Sequence, residues 1–268
     1  MIKFICFGSG SSGNCYYLSA GGYGIIIDFG IGTRTFKKYM RDYGLSFGQV
    51  NAVLVTHDHT DHIKSVGSFS EEFHLPVFAT ETVHEGMQRN HFMYKKVKEE
   101  YKRYVKAGVP FEAGPFRITP FPVPHDSSAN LGYFITCDGG PSFCLITDAG
   151  SFTEEMTGFV GRANYLVIEA NYDAMMLETG PYPPYLKKRI KGGRGHMDNA
   201  ETARILAENL TAEARRVWLC HLSEENNHPE LARKTVETAL ADAGFNLGTD
   251  VVLEVLKRKV PSPLYELS

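Results

Sequence analysis

Long apolar runs are missing from this chain of 268 residues. None approaches the roughly 18 consecutive apolar residues of a spanning helix, so a membrane protein is not expected. The start of the chain, Met1 to Gly10, has one Lys and an apolar stretch that breaks at Gly8. That layout is not a secretory signal, and the cytoplasm is the expected compartment. Cysteine is sparse and unpaired in pattern: Cys6, Cys15, Cys137, Cys144 and Cys220 are odd in number and scattered through strand-like contexts. Neither a disulfide framework nor a paired metal knuckle follows from that spacing, and buried thiols do. An excess of positive charge is absent as well. The formal net charge is −3, so any contact with nucleic acid must come from a local patch. No repeat, low-complexity tract or linker interrupts the chain, and its 43% hydrophobic content can bury a substantial core. One domain over residues 1–268 is the economical expectation, with no obligate protein partner evident.

What is present is a series of apolar runs rich in β-branched residues. Strands are expected at Ile2 to Phe7, Cys15 to Leu18, Gly24 to Phe29, Val53 to Thr56, Pro76 to Ala79, Phe116 to Phe121, Tyr133 to Cys137, Phe143 to Thr147, Tyr165 to Glu169, Val217 to Cys220 and Val251 to Leu256. Helical patterning is expected at Thr33 to Asp42, Thr82 to Val105, Asn199 to Leu210 and Pro229 to Ala243. The last has Pro at its first turn and Gly244 just beyond its end. Asp198 followed by Glu201 reads as a capping box that starts the third. Strands with helices between them predict an α/β sandwich of stacked sheets with outer helices.

The densest chemistry lies in His57-Asp58-His59-Thr60-Asp61-His62, just after the apolar Val53 to Thr56. Imidazole and carboxylate together suit borderline divalent ions such as zinc, manganese or iron. On an extended chain His57 and His59 project to the same side. The adjacent Asp61 and His62 cannot follow them, so they are expected to open the next turn and serve a second ion. A capping Asp would explain one carboxylate and none of the histidines.

Other candidate ligands also fall where strands end, where loops gather side chains at one edge of a scaffold. His125 follows Phe121-Pro122-Val123-Pro124, Asp148 closes Phe143 to Thr147, and His221 closes Val217 to Cys220. Each alone reads as a surface loop residue; together with the histidine run they read as a metal site. His196 stands at a helix start, where the helix dipole disfavours a protonated imidazole.

The histidine run, then His125, Asp148 and His221 in order, resembles the metal motifs of the metallo-β-lactamase fold. Three further stretches are similar to the YycJ (WalJ)-like branch of 5′ exonucleases. They are Gly8-Ser9-Gly10-Ser11-Ser12-Gly13-Asn14-Cys15; Ile168-Glu169-Ala170-Asn171 through Gly180-Pro181-Tyr182-Pro183 to Leu186-Lys187 and Arg189-Ile190; and Cys220-His221-Leu222-Ser223-Glu224-Glu225-Asn226-Asn227. One departure stands out, because the branch usually has Ser where this chain has Asp198.

The resemblance implies a four-layer αββα sandwich holding two divalent ions, manganese or zinc, with iron as a further option. His57, His59 and His125 would hold the first ion, Asp61, His62 and His221 the second, and Asp148 would bridge them. Such pairs of ions lower the pKa of a bridging water and clamp the attacking and leaving oxygens. The implied activity is a phosphodiesterase, a 5′ exonuclease on single-stranded DNA that uses a bridging hydroxide. Asp61, Asp148 and His196 are then the expected catalytic groups, with His196 beside the leaving oxygen.

Substrate contacts are expected from Ser11, Asn14, Tyr182, Lys187, Arg189 and Asn226. Lys187, Lys188, Arg189, Lys191 and Arg194 place positive charge just before His196, as phosphate recognition would use it. Lys188 and Lys191 read equally as a solvated loop. Tyr182 and Tyr185 could stack on bases or pack on the prolines between them. The Gly8 to Asn14 loop could bind a terminal phosphate or be a tight hairpin. Arg89, Lys95, Lys96, Lys98, Lys102 and Arg103, among Tyr94, Tyr101 and Tyr104, read better as an amphipathic surface helix than as a groove wall. Two other functions fit the same residues: hydrolysis of a small phosphodiester or thioester, and a non-catalytic regulatory binding protein. The intact ligand set speaks against the second.

Overall fold

Apolar runs become strands because their β-branched and aromatic side chains fit a pleated surface buried on both faces. The protein is described here by a computed structural model covering residues 1–93 and 95–268. Its first half runs β1 (Ile2–Gly8), β2 (Cys15–Ala20), β3 (Tyr23–Ile27), α1 (Thr33–Asp42), β4 (Val50–Leu54), α2 (Thr60–Ile63), α3 (Val66–Phe73), β5 (Val77–Ala79), α4 (Glu81–Arg89) and β6 (Lys102–Tyr104). The second half runs β7 (Phe111–Ala113), β8 (Phe116–Pro122), β9 (Leu131–Cys137), β10 (Phe143–Ile146), α5 (Glu154–Val160), β11 (Tyr165–Glu169), α6 (Ala174–Thr179), α7 (Pro184–Lys191), α8 (Asn199–Asn209), β12 (Arg216–Cys220), α9 (Pro229–Asp242) and β13 (Val252–Val255). A last strand, β14 (Tyr265–Leu267), returns to pair with β1.

Among the described residues the strands form two seven-stranded sheets, ordered β14-β1-β2-β3-β4-β5-β6 and β13-β12-β11-β10-β9-β8-β7. Each is antiparallel at one side, through β1-β2-β3 and β7-β8-β9-β10, and parallel at the other, through β3-β4-β5-β6 and β10-β11-β12-β13. Their facing sides share one core, in which Phe4 packs on Phe143 and Trp218 with ring centroids 5.1 and 4.7 Å apart. Outer cores seal Phe36, Met40 and Phe69 against the first sheet and Met156, Leu206 and Val236 against the second. The four-layer αββα sandwich follows.

Both helix starts hold, with the capping box half made, because the Glu201 carboxylate turns to Arg204. Asp198 Oδ1 accepts from the Glu201 N–H at 2.7 Å and caps α8. Pro229 occupies the first turn of α9, and Gly244 takes a left-handed φ of 93° beyond its end. The long helix expected over Thr82 to Val105 is not one helix. It stops at Arg89, and Lys102–Tyr104 form edge strand β6 against β5. Asn90 supplies the physical reason, because its side chain competes with the helix for backbone groups. Its Nδ2 donates to the Asp58 carbonyl at 3.1 Å while Oδ1 accepts from the Phe92 N–H at 2.9 Å. Tyr94, placed on that helix by its spacing, lies outside the described residues.

Parallel strands β3 and β4 of one sheet and β10, β11 and β12 of the other end toward the same edge of the sandwich. In open α/β sheets this carboxyl edge is where ligand sites form. Three residues just beyond those ends, Asp28, Asp148 and His221, have φ values of 60°, 54° and 53°. Left-handed backbone at non-glycine residues costs of order 1–3 kcal/mol each and clusters at functional sites.

Candidate metal centre

The loop after β4 carries His57 and His59 out of the sheet, and the short α2 carries Asp61 and His62 in beside them. Close backbone packing holds this loop. Asp61 O accepts from the Asn14 N–H at 2.7 Å, and a Cβ on Gly30 would lie 1.5 Å from that same oxygen. His57 and His62 rings sit 4.0 Å apart, His57 and His59 4.7 Å, and His59 and His125 4.9 Å. His57, His59 and His125 present ligand atoms all within 4.8 Å of one another, and so do Asp61, His62 and His221. Asp148 reaches toward both groups. Its Oδ2 is 3.2 Å from His62 Nε2, and its Oδ1 is 3.5 Å from His221 Nε2 and 3.8 Å from His125 Nε2.

Outer hydrogen bonds set which ring nitrogens face inward. Asp28 accepts the Thr56 N–H and hydroxyl, both at 2.8 Å, so Thr56 Oγ1 is left to accept from His57 Nδ1 at 3.0 Å. His62 Nδ1 donates to Asp28 Oδ2 at 2.7 Å, His125 Nδ1 to the Gly195 carbonyl at 2.9 Å, and His221 Nδ1 to Glu169 Oε1 at 3.1 Å. Each of these four imidazoles therefore turns Nε2 into the site, as metal-ligating histidines do when a carboxylate or carbonyl fixes their tautomer. His59 turns Nδ1 inward, 3.2 Å from His125 Nε2. His57 Nε2 and His221 Nε2 are buried without a hydrogen-bond partner among the described residues. Orphaned buried nitrogens are expensive unless something absent from the chain occupies them.

Charge points the same way. Asp28, Asp148 and Glu169 are buried, and their cationic partners among the described residues are imidazoles only. Burial holds His57, His59 and His125 below their ordinary pKa, which keeps them neutral as ligation requires. Burial also opposes charging His221, but Asp148, Asp61 and Glu169 outweigh it and push the ring up to about 10. Asp61 is held down to about 2 because the His62 and His221 charges overcome its burial. In the chain alone, protons on His62 and His221 supply the positive charge that this donor set attracts. Divalent ions fit it.

Glu169 and Asp28 buttress the candidate ligands, and sequence reasoning did not single out either for that role. Glu169 Oε1 accepts from His196 Nδ1 at 2.8 Å and from His221, while Oε2 accepts the N–H groups of Ala149 and Met197 at 2.9 and 3.1 Å. Burial resists protonation of His196, but Glu169 outweighs it and raises the pKa, opposite to the direction expected from a helix start. A carboxylate closing an apolar strand, the signal used for Asp148, marks Glu169, whereas Asp28 is hidden inside the expected strand Gly24 to Phe29, which ends at Ile27. Asp198 is committed to capping α8, a task that Ser performs equally well, which accounts for the departure from the branch pattern.

Of the expected substrate contacts, Ser11, Tyr182 and Arg189 line one cavity of about 160 Å³ together with His196. Asn14, Lys187 and Asn226 are not brought there. Asn14 is buried, its Nδ2 2.9 Å from His62 Nε2 and 3.3 Å from Asp61 Oδ2. Lys187 donates to the Glu178 carbonyl at 2.6 Å, and Asn226 is buried beside Ser223. The Gly8 to Asn14 segment is a tight connection between β1 and β2, closed by Gly13 N–H to Gly10 O at 2.8 Å. Its Ser9 Oγ accepts the His221 N–H at 2.9 Å.

A family model described as a beta-lactamase superfamily domain matches residues 24–222, from β3 to just past His221. This chain belongs to the metallo-β-lactamase superfamily. Within the superfamily it is similar to the Exodeoxyribonuclease YycJ of Bacillus anthracis, 30% identical over 263 residues that cover 98% of each chain. The Exodeoxyribonuclease WalJ of Streptococcus pneumoniae serotype 2 (strain D39) is 31% identical over 266 residues, 99% of this chain and 98% of that one. These relatives put it in the YycJ/WalJ-like branch, as its motifs imply, and it is a metallo-β-lactamase-fold hydrolase. The crystal structure of the metallo-β-lactamase fold protein YhfI from Bacillus subtilis has the same fold, with a TM-score of 0.71, 21% identity, and coverage of 97% of this chain and 98% of that one.

Proposed function

We propose that this protein is a two-metal 5′ exonuclease acting on single-stranded DNA, with residues 1–268 working as one hydrolase domain. The carrying observation is the row of inward-facing imidazole nitrogens around Asp148 beside the cavity lined by Ser11, Tyr182, Arg189 and His196. His57, His59 and His125 would hold one ion, Asp61, His62 and His221 the other, with Asp148 shared. Bound there, divalent ions such as manganese or zinc would acidify water and neutralise charge on a phosphodiester. The remaining work falls to side chains. Asp61 and Asp148 supply the negative charge that fixes the centre. Arg189, its Nε and Nη2 held by Asp126, has Nη1 left to donate to a phosphate at the cavity wall. His196, its Nδ1 bound to Glu169, has Nε2 left to protonate the leaving oxygen. The names of the YycJ and WalJ relatives support DNA as the substrate. Five unpaired thiols and the absence, among the described residues, of a helix long and apolar enough to cross a membrane support work in the cytoplasm.

A substrate panel tests this reading. Single-stranded DNA, single-stranded RNA, bis(p-nitrophenyl) phosphate and a thioester are incubated with the manganese-loaded protein. Release of mononucleotides from single-stranded DNA with the highest kcat/KM is expected. Thioester cleavage with the DNA intact would overturn it.

A further inference from the structure

The cavity beside His196 is too small for a whole nucleotide by the usual measure of ligand pockets, about 300–1,000 Å³. Against its far wall lies a second cavity of about 370 Å³, with Tyr185, Lys188 and Arg194 in its lining. Arg189 and Gly195 line both. Arg189 is the partition, its guanidinium paired to Asp126 with Nη2 3.1 Å from Oδ1.

Three features of the outer cavity suit a nucleotide of single-stranded nucleic acid. Tyr185 is 75% exposed, an aromatic face left open to solvent. It stands in the first turn of α7, directly after Pro183 and Pro184, so little backbone freedom remains to be lost on stacking. Lys188 and Arg194 have no carboxylate partner among the described residues, although the neighbouring Lys191 pairs with Glu178 and Arg189 with Asp126. Unpaired cations beside an exposed ring match a phosphate joined to a base.

The outer cavity is also held firmly to the metal centre. Arg194 Nε donates to the His125 carbonyl at 3.0 Å. His196 N–H donates to Ile190 O at 2.9 Å, and a Cβ on Gly195 would lie 2.1 Å from that oxygen. Gly150, two residues after Asp148, packs so closely that its own Cβ would meet Arg194 Cα at 2.4 Å. A group bound on α7 is thereby registered against the scissile position.

Resting on the exonuclease reading, we infer that the outer cavity is the subsite for the second nucleotide of the strand. Tyr185 stacks on that nucleotide's base, Lys188 and Arg194 hold the phosphate on its 3′ side, and Arg189 lies between them and the scissile phosphate, the same nucleotide's 5′ phosphate, in the inner cavity beside His196. Stacking on Tyr185 tolerates any base, so the subsite selects for an unpaired strand and not for sequence.

The test is a double cycle on a 5′-phosphorylated ten-nucleotide single strand, with a normal or an abasic second position, and the native chain or Tyr185→Ala. Tyr185→Ala is expected to raise KM for the normal strand about tenfold, within the range one stacked base brings, with kcat little changed. The abasic strand should show the same rise with the native chain and no further rise with the variant. Tyr185→Phe should restore the native KM. An unchanged KM in Tyr185→Ala, or losses that multiply across the cycle, would overturn the subsite while leaving the exonuclease in place. A native chain that degrades neither strand would overturn the exonuclease reading and this subsite with it.

Discussion

Glu169→Gln perturbs the centre while leaving every proposed metal ligand in place. The native carboxylate is fully buried and accepts four hydrogen bonds, two from imidazoles and two from backbone N–H groups. A carboxamide has one accepting oxygen, and its NH2 must face two of those donors. Two charge-assisted bonds, each worth about 1.5–3 kcal/mol, are thereby lost. The expected fall in stability is about 3 kcal/mol or more, within the roughly 5–15 kcal/mol that a domain holds, so the variant folds. Part of that cost is paid with or without metal. The part that falls on metal binding is the loosened tautomer of His221, and changing such an outer partner costs about 10–100-fold in affinity. Manganese titration by calorimetry, alongside urea unfolding of the apo chain, separates the two parts. A variant with native manganese affinity and native stability would refute the orienting role given to Glu169.

Other positions give sharper structural contrasts. Gly30→Ala drives a Cβ into the Asp61 carbonyl and should cost about 3 kcal/mol and weaken metal binding, whereas Gly158→Ala, in open space inside α5, should stabilise by up to about 1 kcal/mol; thermal unfolding of both checks this. Asp198→Ala should lose about 1 kcal/mol through the α8 cap, and Asp198→Ser should keep it, read from urea midpoints at constant slope. Burial pushes the Cys6 thiol up to about 12 and also raises Cys15, Cys144 and Cys220, so at pH 8 Ellman's reagent should titrate Cys137 in the native protein and the other four only after unfolding.

Much of the sandwich was readable because its strands are local apolar runs with two-residue periodicity or full burial, and β11 over Tyr165–Glu169 matches its expected span. The ligand positions were readable for a different reason: His and Asp stand out when they close such runs. Partners that act across the sheets leave no local trace. Asp28 and His62 are 34 residues apart, and Glu169 meets His221 across 52, so their pairing appears only when the strands are laid side by side. The segment after Arg89 misled because its Lys and Tyr residues fit a helical period, while the decisive event, Asn90 hydrogen-bonding to Asp58, depends on a loop 32 residues away. Edge strands β6, β7 and β14 have three residues each, too few to show any period.

The central claim meets its most direct test in a time course on single-stranded DNA labelled at its 5′ or its 3′ end, with manganese supplied, for the native chain and Asp148→Ala. Immediate release of labelled mononucleotide from the 5′ end by the native chain alone is the expected result. DNA left intact by the native chain with its metal bound, or release that begins at the 3′ label, would contradict it.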